Sequence, residues 1–267
     1  MSARKKQLKL GVCVVIPSSG RYVPIEFAMS MAMLAYPVGM NHAWQISKAD
    51  PKCKTMTRDI QRETLAEKAL ALGAEFMMCF DDDTVPPSHA IQSLWYVLSQ
   101  NPKAAIAGGI YCTKSDFPEP IVYMNLGDGA FWNWTLGDVF KCAGIGTGCM
   151  MVRLSALKNI PKPWFQDSLG NSQPYKTKIG DLELNVVDDK RSDDLYFCTK
   201  VAEAGYEIIA HGGVLPLHFD QDGQSYHLPD DSYPMVSYMK KREEFVKKGL
   251  DPTNLKESKI SVPEVKS

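Results

Sequence analysis

No apolar run in this 267-residue chain approaches the roughly 20 residues that a membrane-spanning helix needs. Behind the basic stretch Met1 to Lys6, the first apolar run stops at Pro17, too short for a signal peptide as well. The expectation is a chain without its own anchor, working in the cytoplasm. Charge of one sign is also missing: 30 Lys and Arg face 31 Asp and Glu, leaving a net charge of −1. That balance gives no overall attraction for nucleic acid or anionic membranes, and leaves open only a local basic face. Paired cysteines are absent too. Cys13, Cys53, Cys79, Cys112, Cys142, Cys149 and Cys198 are odd in number and never spaced as CxxC, which fits neither a zinc site nor a disulfide framework. Several sit in apolar runs, where a free thiol behaves as a small hydrophobe. With 45% hydrophobic and 23% charged residues, the chain is neither disordered nor fibrous. No repeat or linker divides it, so one domain over 1–267 is expected.

What is present is an alternation of strand-like and helix-like segments. Leu10 to Ile16 is a β-branched apolar run ending at Pro17-Ser18-Ser19-Gly20, a buried strand followed by a turn. A helix is expected over 24–35, with Pro24 in its first turn, and a second strand over His42 to Ser47. From Thr57 to Leu72 the spacing predicts a helix with Ile60, Leu65, Ala69 and Leu72 on one face and Gly73 as its stop. Glu75 to Phe80 reads as a buried strand running straight into Asp81, Asp82 and Asp83. A helix opened by Pro86 and Pro87 follows, then a strand over Ala104 to Gly109. Such alternation implies an α/β fold with a mainly parallel sheet and helices on both faces. Ligands in such sheets gather at the carboxyl ends of strands, where both the Pro17–Gly20 turn and the aspartates lie.

The second half is less regular. Residues 115–139 read as loops and short antiparallel strands, and Gly144, Gly146 and Gly148 lead into the strand-like CMMVR. Residues 165–192 are polar and read as a loop over a site. Asp194 to Gly205 reads as a helix, Tyr206 to Leu217 as one or two strands ending at His218, and Pro234 to Lys248 as a last amphipathic helix before a frayed tail.

Four constellations carry chemistry, each beside a plainer reading. Three consecutive carboxylates after a buried strand repel one another unless a cation or a set of donors neutralises them. Mg²⁺ and Mn²⁺ favour such oxygen ligands, whereas a solvated turn before a helix would also use aspartate. The glycines let backbone approach a ligand closely or simply build a turn, and no Gly-Lys-Ser/Thr makes them a P-loop. Asp193 and Asp194 open a helix, where a carboxylate either caps it or stands ready to take a proton. His218 is either structural or a metal ligand. Trp164 and Phe165 stack on a ligand or are ordinary buried aromatics. Arg58 and Arg62 assist a diphosphate or are merely solvated.

Taken in order, VVIPSSGR, ALALGAEFMMCFDDDTVPP, GGIYCTK, GIGTGCMMVR, KPWF, SDDLYFCTKVAEAGY and LPLH make the chain resemble GT-A-fold glycosyltransferases, close to the family-two-like group of small stand-alone enzymes. The resemblance covers most of residues 10–220. It implies a Rossmann-like, mixed and mainly parallel sheet, with a nucleotide-sugar half at about 10–110, an acceptor half at about 111–228 and a C-terminal helix and tail at 229–267. It implies a donor site from Pro17, Ser18, Ser19, Arg21, Arg58, Asp81, Asp82, Gly146 and Gly148, and a Mn²⁺ or Mg²⁺ site from Asp83, Asp81 and His218. Asp194 takes the place of the catalytic base, with Asp193 where such enzymes usually carry Glu.

The implied reaction is inverting sugar transfer from a nucleoside-diphosphate sugar, with UDP-sugar as the expected donor, to an acceptor hydroxyl. Similar small enzymes act in bacterial surface-polysaccharide pathways, and others in bacteriophages, where some glycosylate hydroxymethylated bases in DNA. Two other classes stay open: a nucleotidyltransferase making nucleotide sugars, and a non-catalytic nucleotide-sugar-binding module.

Overall fold

The computed structural model describes residues 10–20, 22–48, 57–115, 118–167, 175–179, 182–186, 192–220 and 223–226, together with residue 247. Arg21, Cys53 and the helix expected over 234–248, residue 247 apart, lie outside the described residues. The first half runs β1 (Val12–Ser18), α1 (Ile25–Ala32), β2 (His42–Lys48), α2 (Arg58–Ala71), β3 (Phe76–Phe80), β4 (Thr84–Val85), α3 (Ala90–Gln100) and β5 (Ala104–Gly109). The second half adds β6 (Val122–Tyr123), β7 (Val139–Cys142), β8 (Gly144–Ile145), β9 (Cys149–Arg153) and α4 (Leu154–Leu157). It closes with β10 (Tyr175–Ile179), β11 (Leu182–Val186), α5 (Asp193–Glu203), β12 (Glu207–His211), β13 (Leu217–Phe219) and β14 (Ser225–Tyr226).

Seven strands form the central sheet in the order β2-β1-β3-β9-β5-β12-β7. β1 is parallel to β2 and β3, and β5 to β12, while β9 lies antiparallel between β3 and β5 and β7 antiparallel at the edge. The result is the mixed, mainly parallel α/β sheet expected from the sequence. The inner strands β1, β3, β9 and β5 are apolar on both faces because both are covered. Cys13, Val15, Met77, Cys79, Met150 and Val152 pack with Leu65, Ala66 and Ala69 of α2 and Phe197, Cys198 and Val201 of α5. The alternate residues Val12, Val14, Met78, Phe80 and Met151 pack with Ile91, Leu94 and Leu98 of α3 and Phe27 of α1. The period-two alternation of a strand thus feeds two separate cores.

Three sequence expectations change. Ile60 in α2 and Leu72 just past its end are 44% and 47% exposed, and the buried stripe of the helix is Gln61, Arg62, Leu65, Ala66 and Ala69. The helix presents Arg62 inward because two carboxylates await it there. Gly73, at φ 71°, ends the helix region as expected. Within the supposed loop 165–192, β10 and β11 form an antiparallel pair whose register sets Ile179 opposite Leu182. His218 lies inside β13 rather than after it, because Leu217 and His218 pair with Val85 and Thr84 of β4.

Candidate active site

The β3 strand ends at Asp81, and each of the three aspartates then faces a different partner. Asp81 turns inward: both its oxygens accept from Arg62 Nη2, at 2.7 and 2.8 Å. The other terminal nitrogen of the same guanidinium, Nη1, donates to Asp193 at the start of α5. Arg62 is only 3% exposed, so two buried carboxylates from distant parts of the chain share one buried cation. That pairing holds the guanidinium in its charged form despite burial. Its Nε–H finds no acceptor among the described residues.

Asp82 turns back to the first strand. Its Oδ2 accepts from Ser18 Oγ at 3.0 Å, from the Ser19 backbone N–H at 2.7 Å and from Ser19 Oγ at 3.0 Å. The turn after β1 is therefore tied to the turn after β3 by charge-assisted hydrogen bonds. Pro17 is buried near the end of β1, directly before that turn.

Asp83 points outward between two bases. Lys114 Nζ is 2.5 Å from Asp83 Oδ2, and His218 Nε2 lies 3.6 Å from Oδ1. Burial alone would raise this carboxyl's pKa, but His218 and Lys114 together hold it well below the ordinary value. The imidazole is oriented by its other nitrogen, Nδ1, at 2.7 Å from the Cys112 carbonyl oxygen. A carbonyl only accepts, so Nδ1 donates to it, and this contact fixes the ring with Nε2 toward Asp83.

The cleft beside these groups measures about 460 Å³ and is lined by Ser19, Tyr22, Arg58, Asp83, Lys114 and Phe219, among others. Arg58 stands one helical turn before Arg62 yet serves the cleft, whereas Arg62 serves the interior.

The glycine segment lies against Tyr111. A Cβ on Gly146 would come within 2.4 Å of Tyr111 Oη, and one on Gly148 within 2.7 Å of Thr84 Oγ1 and 2.8 Å of Tyr111 Cζ. The Gly148 N–H donates to Tyr111 Oη at 2.9 Å, and the Tyr111 ring stands edge-on to His218, centroids 5.1 Å apart. Gly146 and Gly148 therefore let the backbone close on a tyrosine that backs the histidine. Asp81 N–H donates to the Gly148 carbonyl at 3.3 Å, joining this segment to the aspartates.

At the start of α5, Asp194 Oδ1 accepts from Ser192 Oγ and, at 2.8 Å, from the Leu195 N–H. Burial raises its pKa above the ordinary 3.8, outweighing the opposite pull of Ser192 and Arg62, with Asp193 adding to the rise. Trp164 and Phe165 are core residues: Trp164 Nε1 donates to the Ile160 carbonyl at 2.9 Å, and Phe165 packs on Phe197 at 4.5 Å.

Of the residues picked from the sequence, Asp83 and His218 are brought together, Ser19, Arg58, Asp82 and Asp83 line one cleft, and Asp81 and Asp193 are joined through Arg62. Among the described residues no hydrogen bond or ion pair links Asp81 to Asp83 or His218, and no group of three or more His, Cys, Asp or Glu could hold a metal alone. Sequence reasoning assigned no role to Lys114, Tyr111, Tyr22 or Phe219. The six described cysteines are free thiols, and no helix among the described residues is long and apolar enough to cross a membrane.

No protein-family profile and no curated protein sequence matches the chain. Among solved structures, A197 from STIV is similar, at 16% identity and a TM-score of 0.54 over 83% of this chain and 96% of that one. S. aureus TarS 1-349 is similar at 12% identity and a TM-score of 0.44, over 92% of this chain and 68% of that one. A longer S. aureus TarS gives 11% identity and 0.42, over 92% of this chain and 41% of its own length. The superposition on A197 establishes a common fold over most of both chains. The architecture is a Rossmann-like α/β fold with a mixed, mainly parallel seven-stranded sheet.

Proposed function

We propose that the chain transfers a sugar from a nucleoside-diphosphate sugar, with UDP-sugar as the leading donor, to an acceptor hydroxyl, assisted by Mn²⁺ or Mg²⁺. The observation that carries this reading is the Asp83–His218 pair at the cleft, 3.6 Å apart, with the imidazole oriented by its other nitrogen on the Cys112 carbonyl. One carboxylate and one imidazole suit a hard divalent ion that takes its remaining ligands from substrate phosphates and water. When bound, such an ion neutralises charge on the leaving diphosphate.

The protein's own groups then divide the work. Ser18 and Ser19, held by Asp82, present the turn over which the donor lies. Arg58 offers the diphosphate a cation from the cleft wall, and Tyr22 and Phe219 offer apolar faces to base or sugar. Asp81 is kept by Arg62 rather than by the metal, and its part is to set the position of α5 through Asp193. Asp194 is the general base. The acceptor oxygen bonds to the anomeric carbon, the bond from that carbon to the diphosphate breaks, and the acceptor proton passes to the carboxylate. This is an inverting displacement. The raised pKa of Asp194 makes it a stronger base than a solvated aspartate, and such general-base help is worth about 10²–10⁴-fold.

Asp194→Asn separates this reading from a binding module. The variant should hold its donor with unchanged affinity while transfer falls by at least about a hundredfold; undiminished transfer removes Asp194 from the role.

The acceptor is a saccharide hydroxyl or the hydroxyl of a hydroxymethylated base in DNA, in a cytoplasmic setting. Since the net charge is −1, a DNA acceptor would have to be gripped by local basic surface. Binding to such DNA that weakens steeply with added salt identifies the nucleic acid. Salt-independent transfer to a sugar identifies the saccharide.

A further inference from the structure

We infer that Lys114 is an exchangeable counter-ion, which holds Asp83 while the cleft is empty and passes to the donor's diphosphate when donor and metal are bound. The inference rests on the donor site proposed above and adds to it a residue that the donor-site pattern left out.

Both oxygens of Asp83 are engaged, Oδ2 by the Lys114 ammonium at 2.5 Å and Oδ1 facing His218 Nε2 at 3.6 Å. A divalent cation held by Asp83 and His218 would share this carboxylate with an ammonium group. Two cations on one carboxylate repel, so the ammonium is the group that has to leave. It is able to leave, because the Lys114 side chain is 28% exposed and ends in a point charge on a flexible stem.

The backbone beneath it is fixed. The Cys112 carbonyl holds His218, Thr113 N–H donates to the Glu119 carbonyl at 2.8 Å, and Glu119 N–H donates to Thr113 Oγ1 at 3.0 Å. Only the side chain therefore has to move, and it moves within the cleft that it already lines. Among the described lining residues Arg58 and Lys114 are the cations, against Asp82, Asp83 and Asp220. Asp82 is taken up by Ser18 and Ser19, and Asp220 accepts from the Gln224 N–H at 2.8 Å and from Tyr226 Oη at 3.2 Å, so the diphosphate is the new anion to which a released Lys114 can pass. The same ammonium that protects Asp83 from an unpaired charge in the empty state thus delays metal binding until a phosphate is there to receive it.

Two affinities must then move in opposite directions. In the otherwise intact protein, Lys114→Met should bind Mn²⁺ alone about two- to fivefold more tightly, since an exposed ion pair no longer competes for Asp83. Free Mn²⁺ measured by electron paramagnetic resonance reads this directly. With Mn²⁺ saturating, the same variant should bind the preferred member of a panel of UDP, GDP, ADP, CDP and dTDP about tenfold or more weakly, having lost a charge-assisted hydrogen bond. Lys114→Arg should keep most of the nucleotide affinity. Unchanged nucleotide binding in Lys114→Met, or a loss of Mn²⁺ affinity alongside it, overturns the exchange. Tight nucleotide binding without metal, unaltered by Mn²⁺ and lost in Lys114→Met, overturns it also, since the lysine would then be standing permanently in the metal's place. Asp83→Ala keeps the two levels apart. If it abolishes Mn²⁺-dependent binding while Lys114→Met changes nothing, the donor site stands and only the exchange falls. If the wild-type protein binds neither Mn²⁺ nor any of the nucleotides, both fall together.

Discussion

Arg62 and Asp81 meet through both carboxylate oxygens, at 2.7 and 2.8 Å, inside the protein. The same guanidinium reaches Asp193, so the turn after β3 and the first residue of α5 are held by one cation. Breaking a buried pair leaves an uncompensated charge, here two of them. Arg62→Met should therefore lower stability by about 3–5 kcal/mol, read as a fall in the urea midpoint. A change below about 1 kcal/mol would place this pair with ordinary surface bridges.

The pH dependence of transfer should carry the mark of Asp194. Burial raises its pKa above 3.8, and the base works only when deprotonated. Activity should rise with pH through a midpoint above the ordinary carboxylate value, and that limb should vanish from the residual rate of Asp194→Asn. The linked effect on stability runs the other way. The folded state holds this proton more tightly than the unfolded chain, so the stabilising contribution is full below pH 3.8 and is lost as pH rises through the folded value. Asp194→Asn should consequently be more stable than wild type at neutral pH, and indistinguishable from it in acid. Equal urea midpoints at pH 7 would contradict this.

The glycine segment gives a stability prediction independent of any ligand. Gly146→Ala puts a methyl group 2.4 Å from Tyr111 Oη and should cost about 1–3 kcal/mol through overpacking. In a Tyr111→Phe background the hydroxyl is gone, so the penalty should shrink, and a double-mutant cycle will show coupling. Additive effects would mean that the two residues do not press on each other.

Asp82 holds the β1 turn through Ser18 and Ser19. Asp82→Ala should weaken donor binding about tenfold, as expected for a lost charge-assisted hydrogen bond, while leaving the rate at saturating donor nearly unchanged. A large fall in kcat with an unaltered KM would move Asp82 from positioning the turn to the chemical step.

Much of this arrangement is legible in the sequence, and the exceptions have physical causes. Strands β1, β3, β5 and β9 are apolar, and their ends announce the aspartates and the serine turn. Helix α2 misleads because hydrophobicity alone picks Ile60 and Leu72, which are exposed, and passes over Arg62, which is buried. The available signal was position: Arg62 lies three and seven residues before Leu65 and Ala69, on the stripe facing the core. An inward arginine implies buried acids, but nothing local says that they are Asp81 and Asp193. His218 shows the same limit. Its place beside Asp83 comes from two residue pairs between β4 and β13, more than a hundred positions apart, which no local periodicity reveals. The β10–β11 pair was masked by its polar composition, which resembles that of a loop.

In the function proposed here, Asp83 and His218 form a metal-assisted donor site. Its most direct test is calorimetric binding of a panel of nucleotide sugars, with and without Mn²⁺, to the wild-type protein and to Asp83→Ala. Mn²⁺-dependent binding of one donor by the wild type, lost in the variant, is the expected result. Failure of every donor to bind under either condition, or binding that Asp83→Ala leaves intact, would contradict it.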